Sequence, residues 1–280
     1  MRVAMKKLDL KNMTVVITGA SGGIGGETGV AFARRGARLV LSGRNRGALE
    51  KVAARVRASG AEAHIVPAEV THRKEMEALA AKAVELTGRL DVMMLGAGYG
   101  VLGAVENVSL EDWHRQMDVN FWGVLHGFYA ALPHFIKQGS GQYIIMNSLS
   151  GRMAMGLSAP YSASKYALWG FADCVRPELW EKNIGLLSVY PYFVKTAFQG
   201  NIQSPDFKVP PDLARKMFGQ SPARLGEQIV RACERRQGEI VCTALGKLGT
   251  RFVPLSFHLA EWMRRLLLPL TRKALGARKQ

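Results

Sequence analysis

The feature that most constrains the fold is a regular alternation of short apolar segments with longer amphipathic ones. Predicted strands cover residues 15–18, 38–42, 63–66, 90–95, 142–146 and 185–190, and residues 239–243 fit a seventh. Helical patterns lie between them, ending near residue 35 and then covering residues 46–59, 74–87, 109–131 and 161–181. Strands that alternate with helices in this way form a parallel sheet with helices on both faces. We therefore predict an α/β fold, a doubly wound parallel sheet of about seven strands in a single domain.

The domain boundaries follow from the same pattern. A chain of 280 residues can bury the core of one large domain, and no linker, repeat or low-complexity segment divides it. We assign residues 1–246 to this domain. Residues 191–222 break the alternation and show little apolar periodicity. Four prolines follow Pro191 in this segment: Pro205, Pro210, Pro211 and Pro222. A loop of this length after a strand is typical of a lid or binding loop, and the alternative is an exposed connection.

The positive charge is concentrated in a C-terminal tail. The formal net charge is +16, and residues 247–280 hold eight Lys/Arg against one Glu. Apolar residues of the tail lie at near-helical spacing: Phe252, Leu255, Leu259, Trp262, Met263, Leu266 and Leu270. Such a basic amphipathic segment packs on its own domain or a neighbouring subunit, or makes peripheral contact with an anionic membrane. No zinc-finger spacing, helix-turn-helix signal or basic-aromatic motif is present, so we expect no nucleic-acid partner.

Nothing in the sequence predicts secretion or a membrane span. No apolar run reaches the roughly 18 residues that a span needs, and no signal-peptide pattern lies at the N-terminus. The chain has three cysteines far apart in sequence, without CxxC or metal-ligand spacing: Cys174, Cys233 and Cys242. We interpret them as small buried residues of a protein in a reducing compartment. We expect a cytoplasmic protein without a metal, with membrane association through the tail left open.

A glycine-rich turn lies between the first predicted strand and the first helix. It contains Gly19, Gly23 and Gly25. This is where a Rossmann-like sheet binds the pyrophosphate of a dinucleotide, because glycines admit the phosphates and the helix N-terminus offers N–H groups. The alternative is a tight turn without a ligand.

The end of the second predicted strand indicates which dinucleotide. NAD-binding proteins place a carboxylate here for the ribose 2′-hydroxyl. This chain has no carboxylate in residues 42–45, and Arg44 would pair with a 2′-phosphate. We predict NADP(H) in preference to NAD(H); the alternative is that Arg44 is only a solvated charge.

Tyr161 and Lys165 are four residues apart and so share one face of a helix. A fixed ammonium beside a phenol favours the phenolate. The pair predicts a lowered pKa for Tyr161 and proton exchange with a substrate oxygen. Ser148 lies 13 residues earlier, after a predicted strand, and Ser150 is a rival hydroxyl.

Together with Asn120 in its helix, the glycine turn, Ser148, Tyr161 and Lys165 resemble the classical short-chain dehydrogenase/reductase (SDR) family over residues 12–198. The resemblance implies hydride transfer between a nicotinamide and a carbonyl or secondary alcohol, with Tyr161 as proton donor or acceptor. It implies that Ser148 stabilises the oxygen, that Lys165 also holds the nicotinamide ribose, and that Asn120 anchors a water in the proton relay. It also implies a homodimer or homotetramer. The matching cofactor positions are Gly19, Ser21, Gly23, Ile24, Arg44, Asn45, Glu69, Val70, Ala97, Gly98, Tyr161, Lys165, Val194 and Thr196.

The chain departs from the family pattern at several positions. Leu95 and Gly96 stand where the family has two asparagines, Glu69 replaces an aspartate, and Tyr192 replaces a glycine. These departures support an alternative function, a nucleotide-binding regulatory or scaffold protein with little turnover; a lipid-surface binder acting through the tail is a third. The candidate substrate-pocket residues are apolar or aromatic and predict a hydrophobic carbonyl or alcohol: Tyr99, Leu149, Met155, Tyr192 and Phe198.

Overall fold

The structure is a computed structural model that describes residues 5–196, 198, 200, 202–208, 219–243, 246 and 268–269. The predicted lid loop, residues 191–222, is therefore covered in part. The predicted amphipathic tail, residues 247–280, lies outside the described residues except for Leu268 and Pro269. The side chain of Leu268 lies against Gly156, in the segment before Tyr161, so the tail contacts the domain at this point.

A seven-stranded parallel sheet forms the centre of the molecule. The strands of this sheet and of a second, smaller one are β1 (Thr14–Thr18), β2 (Arg38–Ser42), β3 (Ala63–Ile65), β4 (Val92–Leu95), β5 (Gly100–Val101), β6 (Gly141–Met146), β7 (Ile184–Tyr190), β8 (Ile202–Gln203) and β9 (Glu239–Val241). The main sheet has the order β3-β2-β1-β4-β6-β7-β9, and β5 pairs with β8 in a separate two-stranded sheet. The predicted doubly wound fold is confirmed. The strand order reverses between β1 and β4, and ligands bind at the carboxyl ends of the strands at such a point.

The helices are α1 (Gly23–Ala33), α2 (Arg46–Ala58), α3 (Arg73–Thr87), α4 (Leu110–Met117), α5 (Gly123–Gln138), α6 (Ala159–Trp180) and α7 (Pro222–Glu234). Ser109 caps α4 as its spacing predicts, with Oγ accepting from Asp112 N at 3.1 Å. The single long helix predicted from residue 109 is wrong, because a π-helical turn at Asp118–Trp122 separates α4 from α5. The α7 helix was not predicted. Within the described ranges, no helix is long and apolar enough to cross a lipid bilayer.

Two cores cover the two faces of the sheet. Successive β1 side chains alternate between them: Val15 and Ile17 belong to one core, and Val16 to the other. Every β1 residue is buried, as expected for a parallel strand with helices on both sides. The second core requires close approach of α5 to β4, because a methyl group at Gly127 would overlap Leu95 Cδ2.

Candidate active site

The glycine turn after β1 has the shape of an anion site. Gly19 has φ +69°, a conformation that side-chain-bearing residues rarely adopt, and a Cβ there would lie 2.9 Å from Ala97 Cα. The cap of α1 is Gly22, which makes no side-chain capping bond, and the first turn of α1 holds no acidic residue. The N-terminal amides and partial positive charge of α1 therefore suit a pyrophosphate, and the turn fits a dinucleotide.

Thr18 joins this turn to the end of β4. Its Oγ1 accepts from Gly96 N at 3.0 Å and from Ala97 N at 3.4 Å. These bonds fix Ala97 and Gly98, two predicted cofactor residues, beside the turn. Sequence reasoning missed Thr18, although a hydroxyl residue that ends a strand just before the glycines is a usable signal.

Tyr161 and Lys165 lie together on α6, as predicted. Lys165 is 5% exposed, and its Nζ donates to Met146 O at 2.8 Å. The same Nζ lies 5.8 Å from the centroid of the Tyr161 ring. Burial lowers the pKa of Lys165 to about 8, because removal from water disfavours the charged amine.

The predicted lowering of the Tyr161 pKa is wrong in direction. Burial raises the pKa of Tyr161 above its ordinary value of 10.0, and a side-chain hydrogen bond with Ser148 opposes that rise. Desolvation of the phenolate is the larger effect. The folded protein without a ligand therefore holds Tyr161 as a neutral phenol at neutral pH.

Ser148 is oriented by its neighbours in the turn that follows β6. Asn147 Oδ1 accepts from Ser148 N at 2.8 Å, and Ser148 Oγ accepts from Ser150 N at 3.1 Å. Gly151 permits this arrangement, since a Cβ there would lie 2.5 Å from Asn147 Oδ1. Ser148, rather than its rival Ser150, supplies the side chain that lowers the pKa of Tyr161 against the effect of burial. Asn147 was not predicted.

Asn120 lies fully buried in the π-helical turn and connects two parts of the site. Its Oδ1 accepts from Tyr99 N at 3.1 Å, and its Nδ2 donates to Tyr99 O at 3.0 Å and to Ser164 Oγ at 3.3 Å. The side-chain amide of Asn120 thus bonds both the N–H and the carbonyl of Tyr99, in the backbone that follows β4. Gln116, also missed from sequence, supports the same backbone by accepting from Val101 N at 2.7 Å. The implied water contact of Asn120 stays a prediction.

Comparison with known proteins assigns the chain to a family. The family model for short chain dehydrogenase matches residues 13–206. The chain belongs to this family. An uncharacterized oxidoreductase of Listeria innocua is 32% identical over 230 residues, which cover 81% of this chain and 93% of the relative. Dehydrogenase/reductase SDR family member 7C of Xenopus tropicalis is 30% identical over 246 residues, covering 84% of this chain and 78% of the relative.

Solved structures share the fold of the chain. A short-chain dehydrogenase/reductase from Burkholderia phymatum in complex with NAD has a TM-score of 0.82 at 23% identity, covering 90% of this chain and 96% of its own. An NAD+-bound xylitol dehydrogenase has a TM-score of 0.73 at 22% identity, covering 83% and 97%. At this identity the likeness shows the fold alone.

The predicted 2′-phosphate region of this short-chain dehydrogenase follows β2. The Arg44 side chain is 78% exposed, and its Nη1 lies 3.7 Å from Glu69 Oε2. Asn45 caps α2, with Oδ1 accepting from Ala48 N at 2.9 Å, so its side chain already has a structural role. The carbonyl of Val70 is bonded to His126 Nδ1 at 3.0 Å. Arg44 and Glu69 thus bring opposite charges to this region.

The segment after β7 reaches back to the glycine turn. A Cβ at Gly23 would lie 2.7 Å from Thr196 Cγ2, and Thr196 Oγ1 accepts from Phe198 N at 3.2 Å. Val194 forms a parallel bridge with Gln220. Two other predicted cofactor residues lie on the opposite side of the turn: Ser21, whose Oγ lies beside Gly43, and Ile24, which packs on the first core.

The predicted substrate-pocket residues have different surroundings. The Phe198 ring lies 6.5 Å from the Tyr161 ring, centroid to centroid. The Tyr99 ring instead has the Arg115 guanidinium 5.4 Å from its centroid, and Tyr192 packs edge-on against Phe193 at 4.8 Å. Leu149 is buried in the turn after Ser148, and Met155 O accepts from Ser158 Oγ at 2.7 Å. Phe198 therefore lies near Tyr161, and the pocket role of all five residues stays a prediction.

Proposed function

We propose that the protein is an NADP(H)-dependent oxidoreductase that transfers hydride between the nicotinamide and a carbonyl or secondary alcohol of a hydrophobic substrate. The observation that carries this is the group of Ser148, Tyr161 and Lys165 at the carboxyl end of β6, beside a glycine turn that suits a pyrophosphate. A protein that only bound nucleotide would not need a buried lysine beside a half-buried phenol.

The bound nicotinamide would supply or accept the hydride. In the direction of reduction, the neutral phenol of Tyr161 donates its proton to the carbonyl oxygen. The Ser148 hydroxyl donates a hydrogen bond to that oxygen and stabilises the charge that develops on it. Lys165 then stabilises the phenolate that remains. The raised pKa of Tyr161 keeps the phenol in the acid form that this step requires.

An apolar substrate is supported by the side chains around the phenol. A Cβ at Gly100 would lie 3.7 Å from Tyr161 Cδ2, 3.6 Å from Ile202 Cγ1 and 3.9 Å from Phe198 Cζ. The phenol is thus approached by an aliphatic and an aromatic side chain from the segment after β7. Such a wall favours a hydrocarbon group next to the carbonyl carbon.

Removal of the phenol tests the mechanism. NADPH oxidation should be followed with a panel of 2-decanone, decanal and acetophenone. We expect Tyr161→Phe to lower kcat/KM by at least about 100-fold, the lower end of general-acid effects. The control is Tyr166→Phe, on the same helix but packed on Trp169 with ring centroids 6.0 Å apart. Turnover that survives in Tyr161→Phe would contradict the assigned role.

The preference for NADP(H) is proposed from Arg44 and from the absence of a carboxylate in residues 42–45. Glu69 opposes it, because its carboxylate lies 3.7 Å from Arg44 and would repel a 2′-phosphate. The two solved structures compared above hold NAD, so the preference rests on this chain's own residues.

Arg44→Ala should raise the KM for NADPH by about tenfold or more, the size of a charge-assisted contact, and leave the KM for NADH unchanged. Glu69→Gln should lower the KM for NADPH. Equal effects of Arg44→Ala on both cofactors would remove the basis of the preference.

The alternative, a nucleotide-binding regulatory or scaffold protein, is supported by Leu95 and Tyr192. It predicts tight NADPH binding by calorimetry together with no turnover of the panel. Contact of residues 247–280 with a membrane and a cytoplasmic location stay predictions; flotation with anionic vesicles, with and without these residues, tests the first.

The homo-oligomer is proposed from an exposed apolar face on α5 and the turn before it. Trp122, Tyr129 and Ile136 are 50%, 57% and 51% exposed and are spaced seven residues apart, so they share one face. Large apolar side chains exposed together on one face are typical of an interface. Light scattering should show a dimer or larger assembly that Tyr129→Glu dissociates.

A further inference from the structure

A short segment, residues 202–208, crosses the site over the proton donor; we call it the strap. Its first two residues form β8, which pairs in parallel with β5 in the register Gly100↔Ile202 and Val101↔Gln203. Gly100 lies between the strap and the phenol, close to both Ile202 and Tyr161. Movement of the strap would therefore change access to Tyr161.

Three consecutive backbone amides tie the strap to the site. Leu102 N donates to Gln203 O of the strap at 2.9 Å, and Ala104 N donates to Asp206 Oδ2 of the strap at 2.5 Å. Between them, Gly103 N donates to Leu157 O at 2.9 Å. Leu157 belongs to the segment that leads into α6 and Tyr161, and its φ of +64° is strained for a leucine. Residues 102–104 thus join the strap to the segment that positions the proton donor.

The Asp206 carboxylate is the only charged group in these contacts. Its Oδ1 accepts from Asn107 Nδ2 at 2.5 Å, so each carboxylate oxygen receives one donor from the same turn. Ser204 Oγ accepts from Asp206 N at 3.2 Å and orients the carboxylate. Gly103 leaves room for it, since a Cβ there would lie 3.1 Å from Asp206 Oδ2. Hydrogen bonds to a carboxylate are about twice as strong as neutral ones.

We propose that Asp206 is a positioning residue that latches the strap over Tyr161 and so controls substrate entry and product release. Two-residue strands are too short to hold the strap closed by themselves. Breaking the two hydrogen bonds of the Asp206 carboxylate would release the strap without disturbing the main sheet. A segment that opens in each turnover needs such a weak attachment. The role in substrate exchange rests on the proposed oxidoreductase function; the latch itself does not.

Amide hydrogen exchange tests the latch without any substrate. In Asp206→Ala we expect the amides of Leu102 and Ala104 to exchange about tenfold faster or more, because Ala104 N loses its acceptor and Leu102 N is exposed when the released strap moves away. Asp206→Asn, which keeps one acceptor but loses the charge, should show a smaller increase. The matched control is Glu106→Gln, an exposed carboxylate of the same turn that takes no part in these bonds. The amides of β6 should be unchanged in all variants.

Steady-state kinetics with 2-decanone and NADPH test the effect on turnover. We expect Asp206→Ala to raise KM about tenfold. The kcat should stay within about twofold of the wild-type value or rise above it, since the groups that carry out the chemistry are unchanged. Unchanged exchange at residues 102 and 104 would overturn the proposal, and so would faster exchange with an unchanged KM. Faster exchange throughout β6 would show a general loss of stability instead and would also overturn it. If the wild type turns over no member of the panel, the proposed function fails, and the exchange rates alone decide whether Asp206 holds the strap.

Discussion

Replacement of Lys165 by methionine should stabilise the folded protein while removing its activity. Lys165 is 5% exposed, and burial lowers its pKa from 10.5 to about 8. Below pH 8 the amine is protonated in both the folded and the unfolded chain, and the folded state carries the full cost of a buried charge. Methionine has a similar length and no charge, so Lys165→Met removes that cost.

The magnitude follows from the shift. A displacement from 10.5 to about 8 corresponds to about 3 kcal/mol, at 1.36 kcal/mol per pKa unit. The variant also loses the hydrogen bond from Nζ to Met146 O, which reduces this gain in stability by about 1 kcal/mol. The variant should therefore be more stable than the wild type by about 2 kcal/mol at pH 7, which is a rise in Tm of roughly 5 °C.

The gain should disappear with rising pH. Between pH 8 and pH 10.5 the unfolded chain binds a proton at Lys165 that the folded protein has lost, so the free energy of unfolding of the wild type rises with pH through this window. At pH 9.5 the difference between the two proteins should fall below about 1 kcal/mol.

Urea denaturation at pH 7.0, 8.5 and 9.5, followed by tryptophan fluorescence on the nucleotide-free protein, measures this difference. Lys51→Met, at an exposed position on α2, is the control and should show little change at any pH. A Lys165→Met variant less stable than the wild type at pH 7, or a difference that does not vary with pH, would refute the reasoning.

Two further substitutions test the packing and polar contacts that hold the site. Gly127→Ala should lower the free energy of unfolding by about 1–3 kcal/mol, because the added methyl group overlaps Leu95. The control is Gly170→Ala, which has nothing within 4 Å of its Cβ position and should be neutral or stabilising. Equal denaturation midpoints for the two variants would contradict the close packing at Gly127. Asp91→Ala should lower the free energy of unfolding by about 2–3 kcal/mol, since Thr14 N donates to Asp91 Oδ2 at 2.8 Å in the interior. A decrease of less than about 0.5 kcal/mol in urea denaturation would show that this bond does not hold β1 in place.

Local sequence determined the parts of the site that depend on neighbours along the chain. The turn from β1 through Gly19 to α1 needs only an apolar strand, glycines and a helix start, and all three are adjacent in sequence. Tyr161 and Lys165 share a face because four residues make about one turn of α6. The order of strands and helices then gave the doubly wound sheet.

Two of the elements that were missed have no signal in the local sequence. The β5 strand is two residues long and pairs with β8 about 100 residues away, so neither has a local signal. The π-helical turn that carries Asn120 is invisible in a helical pattern, because its effect is to shift the register between α4 and α5.

Tertiary structure also decided the protonation of the site. The spacing of Tyr161 and Lys165 predicts that the lysine lowers the pKa of the phenol, because sequence shows the charge and not the water around it. In the folded protein Lys165 is buried and Tyr161 is half-buried, and desolvation raises the pKa of Tyr161 and lowers that of Lys165. The sequence by itself determined which two groups meet on α6. Only the packing of β6, α6 and the strap around them determined which one holds its proton most tightly, because the free energy of a charge depends on its exposure to water.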